Sequence, residues 1–300
     1  MVNMTETLKS CPLCGENTFE PFWIYKHRIR PDNTFQICVR CGGVFANPRP
    51  TEAELNEYYK SEYREQIQGE GKPRPQNFLE EGKRAQRLAW WLQRYIPTVK
   101  RHLDIGSSSG LLLNNIWNEY NCESVGVEPG DEFREASKDG LASIEQPVSI
   151  YSDISEVPTT KKFDLITMSH VLEHLTQPVE YLENLVNRYL EPNGHILIEV
   201  PNLFGEITTL IFPHIIAFTQ ETLWATMNRA GLHPIAVETS YVGGQIHLAP
   251  PPYLTAIGRK GQFDAISESR EIYGRVVRQF SDLMKVRSEI SKRIKDQETP

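Results

Sequence analysis

The 300-residue sequence predicts an α/β fold built on a mostly parallel sheet. Two observations predict it. Short apolar runs at 101–106, 123–129, 163–170 and 195–200 alternate with stretches of helical periodicity, the pattern of βαβ units. The first run also ends in a glycine-flanked serine turn that opens straight into a helix.

Residues 1–47 are dense in cysteine, glycine and aromatics and close at the NPRP boundary, residues 47–50. The next segment starts with Thr51 and Glu54 in capping-box spacing, which predicts a helix ending before the Gly/Pro loop at 69–75. A second helix follows over 77–95, where Leu88, Trp91, Leu92 and Tyr95 recur at three and four residues. RHLDIG (101–106) is the first strand and LLLNNIWNEY (111–120) its helix. ESVGVEP (123–129) is the second strand, with a helix closing at Gly140. GLASI (140–144) and PVSIY (147–151) compete for the third. FDLITMSH (163–170) is the fourth, and SHVLEHL (169–175) reads as its end and the start of a helix. HILIEV (195–200) is the fifth, after the Pro192-Asn193-Gly194 turn. A helix over 220–231 precedes an antiparallel pair, PIAVETS (234–240) with QIHLAP (245–250). Ile272, Val276, Phe280, Leu283, Val286, Ile290 and Ile294 make the last segment an amphipathic helix, either docked on its own chain or joining a homodimer. The predicted units are a cysteine module (1–47), a helical lid or linker (48–100), the α/β domain (101–250) and a helical extension (251–300).

Composition narrows the class. A formal charge of −7, from 32 basic and 39 acidic residues, gives no basic footprint for nucleic acid. The stretch at 210–218 is too short to span a bilayer and contains Pro213 and His214. The first residues lack the apolar core of a signal peptide. The expectation is a cytoplasmic protein with neither membrane nor nucleic-acid partner.

Four of the five cysteines form two Cys-x-x-Cys knuckles, Cys11/Cys14 and Cys38/Cys41. Two such knuckles facing each other complete a tetrahedron of thiolates, the donor set of a structural zinc with no open coordination position. Gly15 and Gly42 follow the knuckles and relieve crowding where amides point at sulfur. A redox pair or free thiols are the alternatives.

LDIGSSSG (103–110) places Asp104 before the turn and Gly106 and Gly110 on its flanks, with Ser108 between them. Small residues let backbone approach a ligand at a helix N-terminus. Glu128 ends the next strand, where an acid would bind ribose hydroxyls. The dinucleotide fingerprint is absent, because the spacing is Gly-x-x-x-Gly. A packing turn is the alternative for the turn taken alone.

Taken together, LDIGSSSG, VGVEP, FDLITMSHVLEHL and LEPNGHILIEVPN resemble a class I S-adenosylmethionine-dependent methyltransferase over about residues 100–250. The resemblance implies a Rossmann-like seven-stranded sheet with S-adenosylmethionine as cofactor. It puts Asp104, Gly106 and Gly110 at the methionine moiety, with Ser108 standing where a glycine is usual. It puts Glu128 on the ribose and Asp153 near the adenine, and adds Ser169 at the end of the fourth strand. The front end, CPLCG…CVRCGGVFANPRP…YYKSEY, is similar to the zinc-binding N-terminus of bacterial methyltransferases that modify sugars and polysaccharides. That likeness implies a zinc-ribbon-like module and a sugar or sugar-nucleotide acceptor for O- or C-methylation.

A hydroxyl is a poor nucleophile until its proton is removed, so a base or a metal is needed. His214, in the loop before the 220–231 helix, is the preferred base, with His174 and His247 as further candidates. His170, Glu173 and His174, at the start of the helix after the fourth strand, fall on one face at three and four residues' separation. In ubiquinone-pathway O-methyltransferases a similar acid-and-histidine segment can hold a divalent metal, which makes a divalent cation near Glu173 and His174 a further expectation. The alternatives are that Glu173 and His174 brace the helix and His214 lies on a loop surface. His102, His195 and His233 read as structural, and His27 belongs to the cysteine module. Tyr58, Tyr59 and Tyr63 line the cleft or pack. Two other readings stand beside the small-molecule enzyme. One is an RNA methyltransferase using the zinc module as reader, opposed by five basic against four acidic residues over 1–47. The other is a non-catalytic zinc scaffold with a vestigial cofactor site.

Overall fold

The computed structural model describes residues 5–26, 32–61, 75–142, 146, 148–205, 207–241, 251–261 and 270–297. The described strands form two sheets. The larger one has seven strands. At its centre β4 (Arg101–Ile105) lies parallel to β5 (Glu123–Val127) on one side and β7 (Phe163–Ser169) on the other. Beyond β5 comes parallel β6 (Val148–Tyr151), so PVSIY supplies the third strand, and Leu141 and Ala142 of the competing segment end a helix. Beyond β7 comes parallel β8 (Leu190–Pro201), then β11 (Tyr253–Lys260) antiparallel to β8, and at the edge β10 (Leu232–Ser240) antiparallel to β11. The chain leaves β4 for β5 on one side and returns to β7 on the other. That reversal opens a crevice at the carboxyl ends of the strands, where open α/β sheets bind ligands.

One expected pairing is corrected. The antiparallel partner of β10 is β11, and residues 245–250, His247 among them, lie outside the described residues.

Strand alternation sorts the core into two layers. Leu165, Leu197 and Ile257 face one side. There they meet α2 (Pro75–Leu92) and α3 (Leu111–Tyr120) through Ala85, Leu88, Ala89, Leu92 and Ile116. Ile166, Met168, Ile196, Ile198, Leu254 and Ala256 face the other side. They pack with α5 (Pro178–Arg188) and α6 (Gln220–Arg229) through Leu182, Leu185, Leu223 and Met227. The helix α4 (Asp131–Ala142) completes the set beside β6. In α6 the hydroxyl of Thr219 accepts from Thr222 N, and Thr222 Oγ1 accepts from Thr219 N, closing a capping box.

The smaller sheet begins in the cysteine module. The strands β1 (Phe19–Tyr25), β2 (Asn33–Cys38) and β3 (Val44–Ala46) run antiparallel in that order. Its fourth strand is β9 (Ile216–Ala217), contributed from far along the chain. Between the sheets, α1 (Glu52–Ser61) starts at the expected capping box, with Glu54 accepting from Thr51 N and Oγ1 at 2.8 Å each.

The final helix, α7 (Arg270–Gln297), docks on the cysteine module. Ile272, Val276 and Phe280 are buried, and the Phe280 ring meets Phe22 at 4.5 Å and Trp23 at 5.6 Å. These positions serve the docked-helix alternative rather than a homodimer seam. No helix among the described residues is long and apolar enough to cross a membrane.

Candidate functional site

The turn after β4 is shaped by backbone that glycine favours. Gly106 and Gly110 have φ of 72° and 78°, and Ser108 also enters the left-handed region at 46°. A Cβ on Gly106 would meet Val171 Cγ2 at 2.6 Å, so only glycine lets this turn pass the segment after β7. Gly106 N and Ser107 N both donate to Val127 O, tying the turn to the end of β5. Glu128, buried at that end, accepts from Ser108 N at 2.8 Å and from Gly130 N at 2.9 Å. The two acids and the glycine turn expected at the cofactor therefore share one crevice.

Asp104 is buried and accepts from Thr167 Oγ1 at 2.6 Å. The Thr167 hydroxyl hydrogen is engaged in that bond, so Oγ1 accepts from His102 Nε2–H at 2.8 Å. Burial pushes Asp104 up to about 7, despite the Thr167 bond and helped by the nearby Glu128 charge. Burial pushes His102 down to about 3, so the expected structural histidine is neutral and braces Asp104 through Thr167. Asp153 is exposed two residues past β6 and caps a short 3₁₀ turn, accepting from Ser155 N at 2.8 Å. Ser169 ends β7, and its hydroxyl is buried without a hydrogen-bond partner. A buried orphan hydroxyl beside a crevice shaped by glycine fits the S-adenosylmethionine that the sequence resemblance implies.

The segment after β7 departs from expectation. Residues 172–174 form a 3₁₀ turn, and α5 begins only at Pro178, so His170, Glu173 and His174 are not arrayed on a helix. They converge nonetheless. His170 takes φ of 57°, and its N donates to Glu199 O at 2.8 Å. Its Nδ1 lies 3.3 Å from Glu173 Oε1. Glu173 is 2% exposed, neither carboxyl oxygen has a hydrogen bond, and burial pushes it up to about 8.

His174 and His214 meet beside it with ring centroids 5.0 Å apart. Each donates Nδ1–H to a carbonyl, His174 to Pro213 O at 3.1 Å and His214 to Thr208 O at 3.0 Å. That fixes the tautomer and leaves Nε2 of each as a lone-pair acceptor. Burial pushes both below the usual histidine range, His174 to about 3. One ligand atom from each of Glu173, His174 and His214 lies within 4.8 Å of the others. The trio can take a proton from a hydroxyl or hold a divalent cation. Tyr59 packs its ring 5.7 Å from His174, and Tyr58 meets Phe212 at 4.9 Å. Tyr63 and His27 lie outside the described residues.

Sequence reasoning missed Arg84, Arg87, Glu199 and Tyr253. Glu199 is wholly buried at the carboxyl end of β8, paired with Arg87, with Arg84 Nε at 3.4 Å. The available signal was one carboxylate near the end of the apolar run HILIEVP. Glu81 was missed too; it accepts from Ser108 Oγ at 3.1 Å and from Ser109 Oγ.

The four cysteines come together as the spacing requires. Their sulfurs lie within 4.8 Å of one another, with Cys11 and Cys41 at 3.8 Å and Cys14 and Cys38 at 3.5 Å. Gly15 and Gly42 take φ of 74° and 70°, and each donates its N–H to the first cysteine carbonyl of its knuckle. Hydrogen bonds from Cys14, Cys38 and Cys41 push the Cys11 thiol up, and those with Cys11, Cys14 and Cys41 push Cys38 down. Four sulfurs gathered this closely suit a thiolate-bound dication.

A family of methyltransferase domains matches residues 79–237. The tRNA U34 carboxymethyltransferase of Idiomarina loihiensis is 30% identical over 140 residues, 42% of each chain. That of Aeromonas hydrophila is 26% identical over 135 residues, 42% of this chain and 41% of its own. The chain thus spans about two-fifths of the length of these relatives. Among solved structures, the Burkholderia thailandensis 1,6-didemethyltoxoflavin-N1-methyltransferase, with 1,6-didemethyltoxoflavin and S-adenosylhomocysteine bound, is similar at TM-score 0.55 and 17% identity. That match covers 81% of this chain and all of the other.

Proposed function

The chain belongs to the methyltransferase-domain family, and from that premise we propose that it methylates a hydroxyl of a small, sugar-derived acceptor, with a structural zinc on Cys11, Cys14, Cys38 and Cys41. One observation carries this reading. The crevice of Gly106 and Glu128 touches, through Val171, the turn that bears Glu173 and His174 beside His214.

S-adenosylmethionine, when bound, supplies a methyl group on a sulfonium, which departs as the neutral thioether of S-adenosylhomocysteine. Glu128 orders the glycine turn and would hold the ribose hydroxyls. Asp104 would meet the methionine moiety, and Asp153 the adenine. His214 Nε2 accepts the acceptor's hydroxyl proton as the oxygen forms its bond to the methyl carbon, and His174 Nε2 is the second acceptor within reach. Holding the acceptor in line does much of the work in a displacement of this kind. Glu173, His174 and His214 would equally hold a divalent cation, which would acidify a bound hydroxyl instead.

The tRNA-modifying relatives favour a second reading, an RNA acceptor, with the cysteine module touching the nucleic acid. Transfer of radiolabelled methyl groups separates the two. Counts in a sugar nucleotide and none in bulk tRNA are expected, and the reverse would replace the acceptor proposed. Absence of S-adenosylhomocysteine binding at millimolar ligand would remove both readings and leave the non-catalytic scaffold.

A further inference from the structure

At the carboxyl end of β8 the chain gathers more positive charge than it neutralises. Glu199 Oε2 accepts from Arg87 Nη2 and, at 3.0 Å, from Thr255 Oγ1. Oε1 has no hydrogen bond. Arg84 Nε stands 3.4 Å from it without hydrogen-bond alignment, and His170 Nε2 stands 3.8 Å away. Arg84 Nε, His170 Nε2 and Glu199 Oε1 are thus buried polar atoms without hydrogen bonds, gathered at one point. A buried polar atom left without a partner is unfavourable unless a ligand or water meets it.

The charges there do not balance. Two guanidinium groups, those of Arg84 and Arg87, share the one wholly buried carboxylate of Glu199. An ion pair that merely anchors α2 would need one arginine, and Arg87 already fills that place through Glu199 and Thr255. Arg84 is 23% exposed, with its guanidinium 5.4 Å from the Tyr253 ring centroid, and Tyr253 in turn meets His170 at 5.2 Å. His170 leads on to Glu173 at 3.3 Å, so the surplus charge borders the atoms proposed to deprotonate the acceptor.

We infer that Arg84, supported by Arg87, binds an anionic group of the acceptor, a carboxylate or a phosphate, beside the hydroxyl that receives the methyl group. A guanidinium presents a planar fork that matches either oxyanion with two parallel hydrogen bonds. The inference rests on the methyltransferase reading above and narrows its substrate class to acidic or phosphorylated acceptors.

The test is calorimetric titration of the protein saturated with S-adenosylhomocysteine, using glucose 1-phosphate, glucuronate and glucose as probes. At least one anion should bind tenfold or more tightly than glucose, and which one does identifies the group. Arg84→Met should erase that preference and Arg84→Lys should weaken it several-fold, with S-adenosylhomocysteine affinity the same in all three proteins. Equal binding of anions and glucose by the native protein overturns the inference, as does a preference that survives Arg84→Met. Should Arg84→Met fail to fold, an Arg84→Lys protein with undiminished preference overturns it as well. The cofactor-product titration is read separately. If it shows no binding, the methyltransferase reading fails, while the anion comparison is still made on the ligand-free protein.

Discussion

Glu173 carries a carboxyl that the fold buries without a hydrogen bond, at the point where three histidines converge. Burial raises it from 4.5 to about 8, so between those values the folded chain keeps a proton that the unfolded chain releases. Its contribution to stability therefore falls as pH rises through that interval, at most about 1.4 kcal/mol per unit. His102 and His174 act in the opposite sense. Both are neutral when folded and cost stability as pH falls below 6.5. Glu173→Gln removes only the first dependence. Thermal melts should show the variant gaining on the native protein at pH 8 and losing that advantage towards pH 5. A constant difference across the range would mean the carboxyl is already ionised, as a bound cation would require. At the other end of the crevice, Glu128→Ala removes the acceptor for Ser108 N and Gly130 N and the acid proposed to hold the ribose. Calorimetry should find S-adenosylhomocysteine bound at least tenfold more weakly, with the circular dichroism spectrum unchanged. Unchanged affinity would refute the ribose assignment.

The elements readable from sequence are those whose signal is local. The strands β4, β5, β7 and β8 and the helices α3 and α6 announce themselves by apolar runs and three- and four-residue spacing, and the structure has them. Elements defined by a distant partner were not readable. The two residues of β9 become a strand only against Val44 and Phe45, and YLTAIGRK becomes β11 only by lying between β8 and β10. SHVLEHL has helical spacing, but His170 leaves the strand at positive φ and the turn stays 3₁₀. Arg84 and Arg87 are set apart only by Glu199, a partner far away in the sequence. The docking of α7 was legible as an apolar stripe, though not what it would cover. Its anchor is Phe280, wedged between Phe22 and Trp23. Phe280→Ala should cost about 3 kcal/mol in urea unfolding. It should also speed hydrogen exchange in β1. Exchange as slow as in the native protein would show that the helix rests on other contacts.

Across the whole molecule, the cysteine module is joined to the segment proposed to meet the acceptor rather than hung beside it. Its β3 pairs with β9, immediately after His214, and Ala46 N donates to Ile215 O at 2.8 Å. Ile215 N in turn donates to the backbone O of Glu173 at 3.0 Å, so a single residue connects the sheet of the cysteine module to the residue whose carboxyl is buried. Arg49, fully buried at the module's end, donates to Thr176 O at 2.8 Å, just past His174. The crevice of Gly106 and Glu128 belongs to the other sheet and draws none of these bonds. Removing the proposed zinc should therefore act on the two ends of the site unequally. Four thiolates freed of their dication repel one another, which loosens β2 and β3 and, through β9, the placement of His214 and Glu173. With a chelator present, or in Cys38→Ser, S-adenosylhomocysteine affinity should stay within about twofold of native while methyl transfer falls at least tenfold, since a displacement of an ångström in the acceptor atoms costs on that order. Parallel loss of both would mean that the metal supports the whole fold. Full transfer by metal-free protein would mean that the β3–β9 pairing holds the acceptor loop without it.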